Sequence, residues 1–314
     1  MKICNQFLKV SFFVLTICCL SCQGTKEKRT TDKNKVLDKQ RAVSRNFTNS
    51  KAKYNDRLSH YWDSFNFKNN LTGTQGELAE QAFVGYIVIF PYAPVSEVKK
   101  SIYSFLDKAK SQKVTFIFFK NLFDKYLYDP NSPMRNDLYY EIVLQYFLES
   151  DMVDNNEKIK YQLQLQIVRK NKPGSKANLF FYWLENGKRE SLSEIKSPFT
   201  LLVFYEPGCS SCELAVRQLK KSLVINELIG KKMLKIIAIY PEGNEKIWKA
   251  YQPNLPSNWV NGLDRDRDIL KKNIYDLKAS PTIYLLDKNK LVLLKDVDFS
   301  QVEYFFKKIH SGIK

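Results

Sequence analysis

The chain has 314 residues, enough for two folding units at the usual prior of about 100 to 200 residues each. Apolar residues make up 44% and charged ones 26%, with 21 Phe and 18 Tyr, which excludes global disorder. Lysine and arginine total 50 against 33 acids, a formal net charge of +17 that would ordinarily put nucleic acid among the partners. Its distribution argues otherwise. Lys2 and Lys9 precede the apolar run Val10 to Leu20, broken only by Ser11 and Thr16. That run falls short of the roughly 20 residues needed to span a bilayer, but suits the apolar region of a secretory signal. Residues 24–53 then carry ten basic side chains against three acidic ones and few apolar residues, so they read as a solvated basic tether. In an exported chain no nucleic-acid partner is expected; a tether of this charge suits an anionic lipid surface.

The six cysteines are Cys4, Cys18, Cys19, Cys22, Cys209 and Cys212, and four of them fall in the leader. Leu20-Ser21-Cys22 resembles the end of a bacterial lipobox, in which a small residue precedes the cysteine that is lipidated after cleavage. Cys19 departs from that pattern, standing where a bulkier aliphatic residue is usual. The resemblance implies a lipoprotein signal peptide over 1–21, lipidation at Cys22 and a tether over 22–53. Ordinary signal-peptidase cleavage near the same point is the alternative.

From Tyr54 to Lys170 no strand alternation is found, only a succession of helical candidates, broken at Pro91 to Pro94, Ser111 to Lys113, Asp129 to Pro133 and Asp151 to Asn156. Asp129-Pro130-Asn131-Ser132-Pro133 is a rigid turn between two aromatic-rich helices. The aromatic stretch Phe116 to Tyr128 repeats at helical spacing and reads as core. Lys172-Pro173-Gly174-Ser175 marks a boundary, so a helical domain over 54–171 is expected to precede a second domain over 172–314.

In that second domain Leu179 to Leu184 with Asn186-Gly187 reads as an added hairpin, and Phe199 to Tyr205 as a buried strand. Glu206-Pro207-Gly208 breaks the pattern before a helix over Ser210 to Ile229. Met233 to Tyr240 is a second buried strand, 244–252 a short helix, and Asp266 to Ile274 another. A strand opens at Ala279-Ser280-Pro281-Thr282, turns at Lys288-Asn289-Lys290 and pairs back over Leu291 to Val297, and Ser300 to His310 closes the chain as an amphipathic helix. Asp264-Arg-Asp266-Arg-Asp268 imitates the start of an EF-hand, but Ile269 stands where glycine is needed and Tyr275 where a bidentate Glu is needed. The sequons at Asn46 and Asn70 are accidental if the chain is a bacterial lipoprotein.

With Cys22 lipidated, Cys209 and Cys212 are the remaining thiols. One bridge across two residues closes almost no loop and stabilises little, so the pair is not a structural framework. The whole chain has two histidines, His60 and His310, both distant in sequence, which argues against zinc; Glu213 after Cys212 argues against covalent haem. No metal and no cofactor is expected, and redox chemistry remains. The pair sits where a buried strand hands over to a helix, whose N-terminal N–H groups favour an anion. Cys209 should therefore have a depressed pKa and attack, while the more buried Cys212 resolves the mixed disulfide.

The strand ending in Gly208-Cys209-Ser210-Ser211-Cys212, the Tyr275-Asp-Leu277 approach to Ser280-Pro281-Thr282, and the Leu285-Leu286-Asp287 hairpin resemble the thioredoxin superfamily, in its TlpA/ResA-like branch. The resemblance implies an α/β thioredoxin-like fold over 172–314, within an α+β two-domain chain whose first domain is all-helical. It also implies that Pro281 is cis and faces the dithiol, leaving the backbone at Ser280 free to pair with a substrate strand. Two departures matter. Val203 stands where thioredoxin itself has a buried acid, and Gly208 where a Trp commonly precedes the first cysteine. His60-Tyr61-Trp62 and Tyr126 to Met134 resemble a helical domain of unassigned function that precedes thioredoxin domains in Bacteroidetes-type lipoproteins.

The sequence thus points to a lipid-anchored, periplasm-facing thiol–disulfide oxidoreductase of the cell envelope, expected at the outer membrane. Its partners would be protein thiols and disulfides, a membrane redox partner, and the lipid bilayer through Cys22. The alternative is a non-catalytic binding or assembly lipoprotein that uses the thioredoxin fold for docking. A third reading, a tether that binds nucleic acid, requires retention in the cytoplasm and strongly salt-dependent binding.

Overall fold

The computed structural model describes residues 53–69 and 71–310. The signal, all but the last residue of the tether, Cys22 and both sequon asparagines lie outside the described residues.

The helical part forms because apolar residues recur at helical spacing between breakers. Helix α1 covers residues 53–60, followed by α2 (Gly73–Ile87), α3 (Val95–Ala109), α4 (Lys113–Phe123), α5 (Asp137–Glu149) and α6 (Asn155–Val168). In α3 the buried Val98, Ile102, Phe105, Leu106 and Ala109 share one face. Helix α4 runs into a wider π turn over Asp124–Tyr128 before the proline-rich turn. Asn136 caps α5 by accepting from the N–H groups of Leu138 and Tyr139, and Asp154 caps α6 through Glu157. The core is aromatic: the Trp62 and Phe105 rings are 4.6 Å apart, and Phe67, Phe83, Tyr86 and Phe119 surround them.

The second part is a seven-stranded mixed sheet in the order β2-β1-β5-β4-β3-β6-β7. Its strands are β1 (Phe181–Trp183), β2 (Arg189–Ser191), β3 (Phe199–Phe204), β4 (Leu234–Tyr240), β5 (Val260–Leu263), β6 (Thr282–Asp287) and β7 (Val292–Lys295). β3, β4 and β5 are parallel, and β6 runs antiparallel to β3. One face is covered by α7 (Ser210–Lys221), α8 (Leu223–Gly230), α9 (Glu245–Tyr251) and α11 (Phe299–His310), and the other packs a second apolar cluster around Phe204, Tyr275 and Tyr284. This is the expected two-domain α+β architecture.

Three elements differ from expectation. The helix read over Ser210 to Ile229 is two helices, because Ser222 ends α7 and turns its hydroxyl to cap α8 at Ile225. The helix read over Asp266 to Ile274 shrinks to α10 (Asp268–Lys271), started by the Asp264 carboxylate, which accepts from the N–H groups of Asp268 and Ile269. Strand β5 gave no apolar signal, since it contains Asn261 and Gly262; a Cβ at Gly262 would lie 2.6 Å from Ile239 and 2.7 Å from Tyr182. Glycine here permits close packing rather than a turn.

Candidate functional site

Strand β3 is buried on both faces, as expected for an interior strand of a sheet covered on both sides, and it ends at Phe204. The chain leaves it through Tyr205 and the Glu206-Pro207-Gly208 turn, where Gly208 adopts φ +82°, a left-handed conformation that suits a residue without Cβ. Cys209 is then the N-cap of α7: its Sγ accepts from the Cys212 N–H at 3.2 Å. The same sulfur lies 3.5 Å from the Ser280 carbonyl, to which its S–H donates. Cys209 is half-buried, and Cys212, one turn on, is 1% exposed.

Burial pushes the Cys212 thiol up to about 12, and its hydrogen bond with Cys209 acts in the same direction. The Glu206 N–H donates to Cys212 Sγ at 3.5 Å and opposes the shift, whereas the nearby Glu206 charge adds to it. Val203, at the position of the thioredoxin acid, is 1% exposed. The Ser280–Pro281 peptide is cis, and both residues are half-buried beside Cys209. Among the sequence-selected residues, then, Cys209, Cys212, Ser280 and Pro281 come together; Cys22 lies outside the described residues. Among the described residues no three His, Cys, Asp or Glu side chains converge as a metal site.

Sequence reasoning missed two sets of neighbours. Tyr205 stacks on Tyr251 at 5.4 Å, and its hydroxyl donates to Asn261 Oδ1, which also accepts from the Trp248 indole N–H at 3.0 Å. Tyr251 is near enough to be perturbed by both cysteines. The second set ties the helical part to the sheet. Lys295, its side chain 5% exposed, pairs with Asp137 at 2.7 Å and donates to the carbonyls of Val168 and Lys170. Arg135 pairs with Asp296, and Lys278 sits 3.8 Å above the Tyr128 ring while pairing with Asp276. Apart from Lys278 and Asp276, these partners are separated by well over a hundred positions, and no local pattern announces them.

The pins hold residues 130–138 of the helical part against the sheet domain. An open cleft of about 640 Å³ runs between them, with Pro133 and Leu138 on one wall and Ser211, Leu214, Pro281 and Phe299 on the other.

A strand-to-helix dithiol opposite a proline loop, on this sheet order, defines a thioredoxin-like protein with an added helical domain. The chain is 36% identical to a thioredoxin-like protein from Bacteroides caccae, whose crystal structure matches with a TM-score of 0.80 over 83% of this chain and 94% of that one. This protein belongs to that family. Residues 21–171 match a domain of unknown function, DUF5106. Two shorter structures from Bacteroides fragilis are also similar. The C-terminal domain of an uncharacterised protein is 42% identical over 44% of this chain and 98% of that one, with a TM-score of 0.43. A conserved protein of unknown function is 34% identical over 43% and 98%, with a TM-score of 0.42. No curated protein matches.

Proposed function

We propose that this protein is a thiol–disulfide oxidoreductase of the TlpA/ResA type, acting on protein disulfides and held at the cell envelope, facing the periplasm, by a lipid on Cys22. The observation that carries the reading is the asymmetry of the dithiol. Cys209 is half-buried with an N–H donor aimed at its sulfur, and Cys212 is buried and pushed up to about 12.

In the reductive direction the Cys209 thiolate attacks one sulfur of a client cystine. The Cys209–client bond forms as the client S–S bond breaks, and the departing client sulfur takes a proton. Cys212 then gives its proton to solvent and attacks Cys209 Sγ, forming the intramolecular disulfide and expelling the second client thiolate. The client gains two electrons and the dithiol loses two; a membrane dithiol donor would restore it. The reverse sequence oxidises clients. Which direction runs depends on the potential, where about 30 mV corresponds to about 1.4 kcal/mol.

The test is a redox titration of the purified full chain in defined thiol buffers, read by alkylation and mass. A reversible two-electron couple is expected, lost in both Cys209→Ser and Cys212→Ser, with Cys212→Ser accumulating a mixed disulfide with clients. A potential well below the glutathione range marks a reductant, and a higher one an oxidant or isomerase. If no accessible potential forms or reduces the Cys209–Cys212 bond, the enzyme reading fails and the docking-module reading replaces it.

A further inference from the structure

We infer that the pocket at the end of the sheet remote from the dithiol binds a phosphate monoester with a small apolar substituent. This site lies apart from the chemistry of Cys209 and does not depend on it.

Strand β3 begins at Phe199, beside Asp287 at the end of β6, and the dithiol follows its other end, roughly 17 Å away at about 3.3 Å per residue. At the Phe199 end, the chain entering β3 and the Lys288-Asn289-Lys290 turn leaving β6 enclose an open pocket of about 620 Å³, a size usual for small-molecule sites. Lys176, Lys196, Lys288 and Lys290 line it. Among the described residues no carboxylate does: Glu194 and Asp287, the acids nearest to these lysines in sequence, are outside the lining.

Lys290 makes this more than a basic patch. It is 7% exposed, yet no carboxylate among the described residues pairs with it. Its Nζ donates to the Ile195 carbonyl at 2.9 Å and to the Thr200 hydroxyl at 3.2 Å, which uses two of its three N–H groups. Burial holds the ammonium below the usual lysine range and the Lys196 charge adds to that, with Asp287 opposing. Asp287 is itself engaged, its Oδ1 accepting from the N–H groups of Asn289 and Leu291. A buried cation facing a second cation is unfavourable, and an anion held between them offsets both the repulsion and the lost hydration.

The lysines also select the anion. A lysine ammonium is a compact point charge, whereas a planar carboxylate is best met by the arginine fork, and no arginine lines this pocket. Several ammonium groups around one space suit a phosphate monoester, with its three acceptor oxygens and about two negative charges. Beside them Leu179 is 53% exposed and Ile195 half-buried, so an apolar group on the ester leaves water against both.

The test is a calorimetric titration of the purified full chain in low salt with phenyl phosphate, inorganic phosphate, benzoate and monomeric dihexanoylphosphatidic acid. Phenyl phosphate should bind saturably, and more tightly than inorganic phosphate or benzoate. Tighter binding of the phosphatidic acid than of phenyl phosphate assigns the ester to a membrane lipid, and the reverse order to a soluble compound; either order supports the site. Lys196→Gln combined with Lys288→Gln, both at exposed positions, should weaken phenyl phosphate binding by about tenfold or more, as should Lys290→Met. Lys246→Gln, exposed on α9 and outside the pocket, should leave it unchanged. If Lys290→Met does not fold, the double variant decides alone. Absence of saturable binding by both esters, tighter binding of benzoate, an unchanged affinity in the double variant, or an equal loss in Lys246→Gln overturns the site.

Discussion

Cys212 offers the sharpest test of the site's electrostatics. In Cys209→Ser it is the one thiol left among the described residues. Its thiol is pushed from an ordinary 9.0 to about 12, chiefly by burial, so ionising it inside the fold costs about 4 kcal/mol more than in the unfolded chain. At about pH 8 the unfolded thiol is ionised roughly one time in ten and the folded one about one time in ten thousand. Alkylation by iodoacetamide, followed by mass, should therefore be more than tenfold slower in the native variant than in urea. Losing Cys209 removes two lesser contributions and leaves burial, so the direction holds. Stability should follow. The folded pKa is raised, so the contribution of this group is fully present below pH 9 and is lost as pH rises from there through about 12. A native alkylation midpoint near 9, or a rate within tenfold of the unfolded one, would refute burial as the controlling cause.

Three other perturbations are equally direct. Lys295→Ala leaves the Asp137 carboxylate and the Val168 and Lys170 carbonyls without their shared cation. The loss should be about 3 to 5 kcal/mol and, at about 2–4 °C per kcal/mol for a chain of this size, a Tm fall of about 10 °C by calorimetry; a fall under about 2 °C would mean that the pin is solvated. Gly262→Ala forces a methyl against Ile239 and Tyr182 in the middle of the sheet, and should lower the urea midpoint by the equivalent of about 1 to 3 kcal/mol; an unchanged midpoint would contradict the close approach. Cys22→Ser should move the protein from the membrane fraction to the soluble periplasmic fraction, and retention in the membrane would count against lipid anchoring.

The sheet and the dithiol were legible because they are local. A fully apolar run such as Phe199 to Phe204 can bury both faces, and a breaker followed by Cys-x-x-Cys and helical spacing fixes where the thiols stand. Ser280 and Pro281 were legible only through resemblance, since nothing local says that the loop before β6 approaches Cys209. β5 was illegible because its place is set by packing against Ile239 and Tyr182 rather than by its own side chains. The charged pins were illegible for the opposite reason. Arg135 and Asp137 stand at the start of α5, and Lys295 and Asp296 at the end of β7, and nothing local in either stretch says that the fold brings opposite charges together.

The same contacts imply that the helical part steadies the loop bearing Pro281, and Tyr128 is where that can be tested. Its ring stacks on Tyr140 at 4.6 Å and lies under the Lys278 ammonium, two residues before Ser280; Tyr140 is itself fixed by donating to Asp124 at 2.7 Å. Removing the ring by Tyr128→Ala takes away a desolvated cation–π contact worth about 2 kcal/mol and leaves the Lys278–Asp276 pair above a void. Loop opening should become more frequent by about thirtyfold, because that is what 2 kcal/mol is worth in an equilibrium constant. Hydrogen exchange at residues 276–280 should accelerate accordingly, while the amides of β3 and β4, held by their own ladder, keep their protection. Tyr128→Phe retains the ring face and should restore slow exchange. If Tyr128→Ala leaves the loop as protected as before, the sheet alone holds it, and the helical part contributes a wall to the cleft without steadying the residues opposite the dithiol.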